Sequence, residues 1–350
     1  MLIYLFCPPN PFIQNFDSWW LNAIKTSSNN LTQLTELSHR PLYYFLIFFI
    51  KKIFFLGDNY NNIIIFFLIQ IILILNILLF ASYLIEKKFK NIFVICVIFS
   101  FGGYVTTSLR FPIYFDLLVT LFLLNSFFAR KLFYSSLYFL LACFTHEISL
   151  FSLPFLLFIN SKRFANKQMI VLLFTFATVI FISFYIYIKS KIINIDPQIN
   201  ELRAISLSKD LILKHISLTL KFSLLGIFSA FKFMWVIFIL MLLKYKKKFF
   251  LIKEKKIIFF LIFYFITLML LTSFYSFDKT RHAYLLFFVP LIFLVLKFFK
   301  IYKKKLILML CLISQIVIPN ISVFKEIYIM QPFGFEIFLN FEKIKNFLNY

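Results

Sequence analysis

Long apolar runs separated by short basic clusters recur along this chain, and that alternation limits the fold more than any single motif. Runs of about 17 to 25 apolar residues match the hydrocarbon thickness of a bilayer when helical, and flanking Lys and Arg mark the cytoplasmic side. Apolar runs near this length, from the short Asn91–Tyr104 and Leu306–Ile321 through Asn62–Ile85, Pro112–Phe128, Met169–Ile188, Ile257–Phe277 and Ala283–Phe299 to the long Ile216–Leu243, predict an all-α, polytopic transmembrane helical bundle. The count is about 9 to 11 membrane segments when partial ones are included. Composition agrees, because 62% hydrophobic residues and a mean hydropathy of +0.92 exceed what a soluble core hides.

The charge balance has a topological reading. Lys plus Arg number 37 against 14 Asp plus Glu, for a formal net charge of +23. In a soluble chain this would suggest nucleic acid, but here the basic residues gather between apolar runs, where they face an anionic inner leaflet. No nucleic-acid partner is expected, and no phosphate-loop or RNA-binding motif occurs. The four cysteines are widely spaced and mostly within apolar runs, so they read as small core residues rather than a disulfide framework or zinc site. EKKFK at Glu86–Lys90, Arg130 with Lys131, and KYKKKFFLIKEKK at Lys244–Lys256 are assigned to the cytoplasm. The polar stretch Lys189–Asp210, the loop Phe277–His282, the segment 1–57 and the tail 323–350 then fall outside, leaving 58–322 as the transmembrane bundle.

Two stretches break the pattern. Leu132–Asn160 is apolar for roughly 29 residues, about 43 Å as a helix, which is long for one crossing and short for two. Positive charge brackets both its ends, at Arg130, Lys131, Lys162 and Arg163. A bent or re-entrant pair of half-helices fits best, with Thr145, His146 and Glu147 at the bend. Pro41–Leu56 is apolar enough to insert, yet Lys51 and Lys52 interrupt it. Each central Lys costs about 2.5 to 3.5 kcal/mol on insertion scales, so this segment is expected to lie along the membrane surface with its lysines reaching water. Met1–Cys7 is too short to cross before the polar stretch that carries Asp17.

Chemistry-bearing residues stand at these irregularities. Asp17 lies in NFDSWWLNA beside Trp19 and Trp20, which suit sugar stacking or interfacial anchoring. His39 and Arg40 precede the proline that opens the surface helix, followed by Tyr43 and Tyr44. Asp116 opens a span in FDLLVTLFLL, where an ionised carboxylate needs a partner or water; Arg110 is near enough in sequence to pair with it. His146 and Glu147 are deep in apolar sequence, and Arg281 and His282 follow Asp278 in an external loop. Each has an ordinary alternative: a solvated carboxylate, a snorkelling anchor, a belt aromatic, a hydrogen bond holding the bend, or a local salt bridge.

The order of HRPLYYFLIFFIKKIFFLG after Asp17, FDLLVTLFLL, LACFTHEISLFSLP and DKTRHAYLLFFVP resembles the GT-C glycosyltransferases, particularly the lipid A aminoarabinose transferases and protein O-mannosyltransferases. The resemblance covers about Asn15 to Pro290. It departs where the family has an acidic pair and this chain has Asp17, and where His39 or Arg40 stands for a lysine; the family's first span is either lacking or lies ahead of Met1. It implies a GT-C-like bundle that transfers sugar from a polyprenyl-phosphate donor to a lipid-linked, glycan or protein acceptor of the cell envelope, in a bacterial inner membrane. Asp17 and Asp116 are then the catalytic candidates, and His39, Arg40, Tyr44, His146, Glu147, Arg281 and His282 the substrate-binding ones. A divalent cation, Mg or Mn, is an allowed cofactor between the two aspartates, although no ligand spacing requires it. An O-antigen or exopolysaccharide polymerase remains the alternative enzyme, and a lipid or solute transporter the alternative from another class.

Overall fold

The computed structural model describes residues 40–54, 63–86, 115–195, 217, 220, 222–232, 235, 252–275, 279–298, 320–324 and 326–330. Among these the chain is helical apart from one antiparallel hairpin. The helices are α1 (Pro41–Ile53), α2 (Ile63–Glu86), α3 (Asp116–Phe128), α4 (Leu132–Thr145), α5 (Leu153–Arg163), α6 (Lys167–Ile195), α7 (Ser223–Phe231), α8 (Ile252–Tyr275) and α9 (Lys279–Phe298). A 3₁₀ segment, Glu147–Ser152, joins α4 to α5, and strands β1 (Asn320–Phe324) and β2 (Glu326–Met330) pair with Asn320 opposite Met330. The chain forms two compact units, one from 10–70 and 111–215, the other from 1–9, 71–110 and 216–350; the division falls within α2.

In the first unit, α3 and α4 make an antiparallel helical hairpin around Arg130. Small hydroxyl residues let the backbones approach: Ser126 Oγ donates to the Ser135 carbonyl and Ser135 Oγ to the Ser126 carbonyl, both at 2.7 Å, with both residues fully buried. The fold-back of α5 follows from Asn160, whose Nδ2 donates to Ser135 Oγ at 3.0 Å across 25 positions of sequence. Asn160 is near the end of α5 and Ser135 near the start of α4, so the two helices run antiparallel. Arg163 completes this end by donating to the carbonyls of Phe127 and, at 3.0 Å, Ala129, which are among the orphan acceptors where α3 stops. The basic residues bracketing 132–160 therefore meet at one end of the unit.

Helix α6 then runs beside α4 in the same direction. Phe139 meets Phe174 at 5.5 Å between ring centroids, and Phe144 meets Phe181 at 5.9 Å and Phe184 at 5.6 Å. Its outer face carries Val171, Leu172, Phe176, Val179 and Ile186, all exposed. Among the described residues one helical stretch, Lys167–Ile188 within α6, is long and apolar enough to cross a membrane. It coincides with the expected run Met169–Ile188.

Helix α1 opens with Pro41, whose fixed φ suits the first helical turn, after an Arg40 held in non-helical conformation by the proline behind it. It packs on α4, burying Ile47 and Ile50 and exposing Phe45, Phe49 and Ile53. The two lysines of this helix part company. Lys52 is exposed, with its Nζ 5.1 Å from the Phe48 ring, but Lys51 is buried rather than reaching water as expected, because it shares a face with Ile47 and Ile50.

In the second unit aromatic rings from α7, α8, α9 and Trp235 meet. Phe231 stacks on Tyr284 at 5.3 Å, Trp235 meets Phe287 edge-on at 5.3 Å, and Phe265 stacks on the same Phe287 at 5.3 Å. Pairs of this kind contribute about 0.5 to 1.5 kcal/mol each beyond the area they bury. Strand β1 lies against both α7 and α9.

Several run boundaries also change. The expected span 216–243 is interrupted: α7 is only 9 residues long, and Phe222 and Lys232 on either side of it have φ of 61° and 46°. Likewise α3, at 13 residues, extends about 20 Å, less than the roughly 30 Å a spanning helix needs. Asn320 and Ile321, expected to close a helix, begin the hairpin instead.

Candidate functional site

The helical segment 132–160 breaks at the expected triplet. Thr145 ends α4, returning its hydroxyl to the Leu141 carbonyl at 2.8 Å, and His146 turns to φ −158°, ψ 124°. Two local bonds hold the break: the Ile148 amide donates to His146 Nδ1 at 3.3 Å, and Ser149 Oγ donates to the Ala142 carbonyl at 3.1 Å. The imidazole thus caps the 3₁₀ segment that follows.

Glu147, first in that segment, reaches Arg40. The guanidinium meets the carboxylate as a fork, Nε to Oε2 at 2.8 Å and Nη2 to Oε1 at 2.8 Å, with side chains 14% and 29% exposed. This is a charge-assisted bidentate pair across 107 positions of sequence, and it fastens the start of α1 to the break between α4 and α5. His146 Nδ1 lies 3.3 Å from Glu147 Oε2 as well. One ring nitrogen cannot accept from Ile148 and donate to Glu147 at once, so the proton on the imidazole decides which neighbour it serves.

Asp116 is at the same end. It opens α3, whose other terminus meets α4 at the basic turn, and the antiparallel pair carries it about 18 Å away from that turn, level with the end of α4. It is buried, 4% exposed, and as the first residue of α3 it sits where backbone amides and the helix dipole favour a negative charge. Arg110, its suggested partner, lies outside the described residues. Along α6 this level corresponds to Phe184, which touches Phe144, within about two turns of the far end of the Lys167–Ile188 stretch.

Of the sequence-derived candidates, Arg40, His146 and Glu147 are in contact and Asp116 shares their end of the unit. Tyr44 is in the first turns of α1. Arg281, buried, and His282, half-buried, belong to the first turn of α9 in the other unit. Asp17 and His39 lie outside the described residues. Among the described residues no three His, Cys, Asp or Glu side chains gather, so these alone do not supply a donor set for Mg or Mn.

Sequence reasoning treated Arg40 and Glu147 as separate substrate contacts. Their mutual pairing went unseen because 107 positions separate them, although unlike charges flanking two irregular helix ends could have suggested it. Comparison with family models, curated proteins and solved structures finds no match to this chain.

Proposed function

We propose that the protein is a multi-pass membrane enzyme, a GT-C-like glycosyltransferase that moves a sugar from a polyprenyl-phosphate carrier to a cell-envelope acceptor on the non-cytoplasmic face. The observation that carries this reading is the gathering of Asp116, Arg40, His146 and Glu147 at one end of a helical unit whose opposite end collects Arg130, Lys131, Lys162 and Arg163. Charge so distributed along an apolar bundle separates a cytoplasmic rim from an outer, polar one.

The chemistry needs little more than such a rim. The bond between sugar and phosphate breaks with its electron pair passing to the phosphate oxygen, while the acceptor oxygen or nitrogen bonds to the anomeric carbon and yields its proton to a carboxylate. Asp17 is the proposed base, as in the resemblance, with Asp116 as the second carboxylate of the same face. Arg40 is a positioning residue: its fork is engaged by Glu147, so it fixes the start of α1 at the break between α4 and α5.

Mass spectrometry of surface glycans tests this in cells that lack the protein and carry either wild type, Asp17→Asn or Asp116→Asn. Wild type is expected to restore a glycan signal that both variants fail to restore. Identical glycans in all four strains would overturn the reading. Full restoration by both variants, with loss in Arg281→Gln, would favour the polymerase.

A further inference from the structure

His146 stands between a cap and an ion pair. Its Nδ1 accepts from the Ile148 amide at 3.3 Å and lies 3.3 Å from Glu147 Oε2, the same carboxylate oxygen to which Arg40 Nε donates at 2.8 Å. Accepting from Ile148 needs a lone pair on Nδ1, so this contact belongs to the neutral ring with its proton on Nε2. A second proton, on Nδ1, reverses that atom's role: the Ile148 amide loses its acceptor, and Glu147 Oε2 gains a second cationic donor. One carboxylate then serves two cations, one of them on a ring only 1% exposed.

Two consequences of that proton point the same way. The cap on the 3₁₀ segment Glu147–Ser152 is lost. Arg40, His146 and Glu147 together then hold one positive charge in excess at a site with little water, where imidazolium and guanidinium repel each other across the shared oxygen. The other ionisable groups at this end are Asp116 on α3, Cys143 on α4 and Tyr185 on α6; Lys51 stands about 16 Å further along α1, and Lys162 and Arg163 close the opposite end of α5. Of all these side chains only the histidine ordinarily changes charge between pH 5 and 8. We propose that His146 is a proton-operated switch on the attachment of α1: the neutral ring caps the break and leaves Glu147 to Arg40, whereas the protonated ring takes Glu147 Oε2 and releases the start of α1 from the end of the unit where Asp116 also lies. This device is separate from sugar transfer and does not depend on it.

Pulsed electron paramagnetic resonance on the full chain in detergent micelles tests it, with spin labels on cysteines introduced at Phe45 in α1 and Leu172 in α6, both exposed, after the four native cysteines are replaced. One narrow distance is expected at pH 8 and a second, broader population at pH 5. The ratio of detached to attached α1 should rise about tenfold, the change a single proton supplies when its affinity differs tenfold between the two states. His146→Asn should keep the narrow distance at both pH values, because an asparagine oxygen caps the Ile148 amide in the same way and does not titrate. Distances that do not change between pH 8 and pH 5 overturn the inference, as does the same change persisting in His146→Asn, which would assign the titration to another group such as Glu147 or Asp116. If His146→Asn does not fold, His146→Gln decides the question: its ratio must be independent of pH, and a ratio that still rises toward pH 5 overturns the switch.

Discussion

Arg40 and Glu147 illustrate how a charged pair becomes structural in an apolar setting. Each would be costly alone at a half-buried position, and together they satisfy one another through two parallel bonds. Removing either leaves the other charge without its fork. Arg40→Met and Glu147→Gln are each expected to destabilise the protein by about 1 to 3 kcal/mol, with the double variant costing less than the sum. A double-mutant cycle read by thermal unfolding in detergent checks this. A coupling near zero would mean that the pair does not hold α1 to the break. Ser126, Ser135 and Asn160 do comparable work at the opposite end, where three small polar side chains, all fully buried, bind α3, α4 and α5 together.

At the scale of elements, α6 shows what an apolar helix does with two different faces. Phe174 and Phe181 are buried against α4, while Phe176 is 63% and Leu172 61% exposed. Under the proposed membrane placement this outer face meets hydrocarbon, which solvates it as well as protein would. Phe176→Arg, near mid-helix, is expected to cost about 2.5 to 3.5 kcal/mol of insertion, and Gln168→Arg, at the exposed basic end, close to nothing. The fraction of each variant recovered in membranes after alkaline extraction measures the difference. Equal recovery would show that α6 does not face lipid. The α4 to α5 segment is the complementary case. Its 14-residue and 11-residue helices are each too short to cross, and they gain stability by folding back on one another through Asn160.

For the whole molecule, the prediction concerns sidedness. Single cysteines in a background lacking Cys7, Cys96, Cys143 and Cys311 report which face each site meets. Cysteine at Lys131 or Lys162 is expected to react with a membrane-impermeant maleimide only after the membrane is opened, and cysteine at Lys191, beyond the apolar stretch of α6, in intact cells. The opposite result would invert the topology and remove the outer face on which the proposed transfer depends. Two elements of the described structure were legible along the chain. The bend at Thr145 to Glu147 could be read from an apolar run of awkward length with positive charge at both ends, and α6 from its uninterrupted hydropathy. The interruption beside Lys232 and the hairpin at Asn320 were not legible, because apolar sequence is compatible with a helix until a neighbour offers a better contact.

Sequence by itself determined where apolar segments lie, which ends carry positive charge, and where a helix must break. Those properties depend on transfer to hydrocarbon and on local geometry, which act residue by residue. Only the tertiary structure decided that Arg40 belongs to Glu147, that Asp116 shares their end of the first unit, and that Phe231 stacks on Tyr284 in the second. These are pairings between distant segments, fixed by packing and by the need of each buried charge for a partner, and no local pattern encodes them.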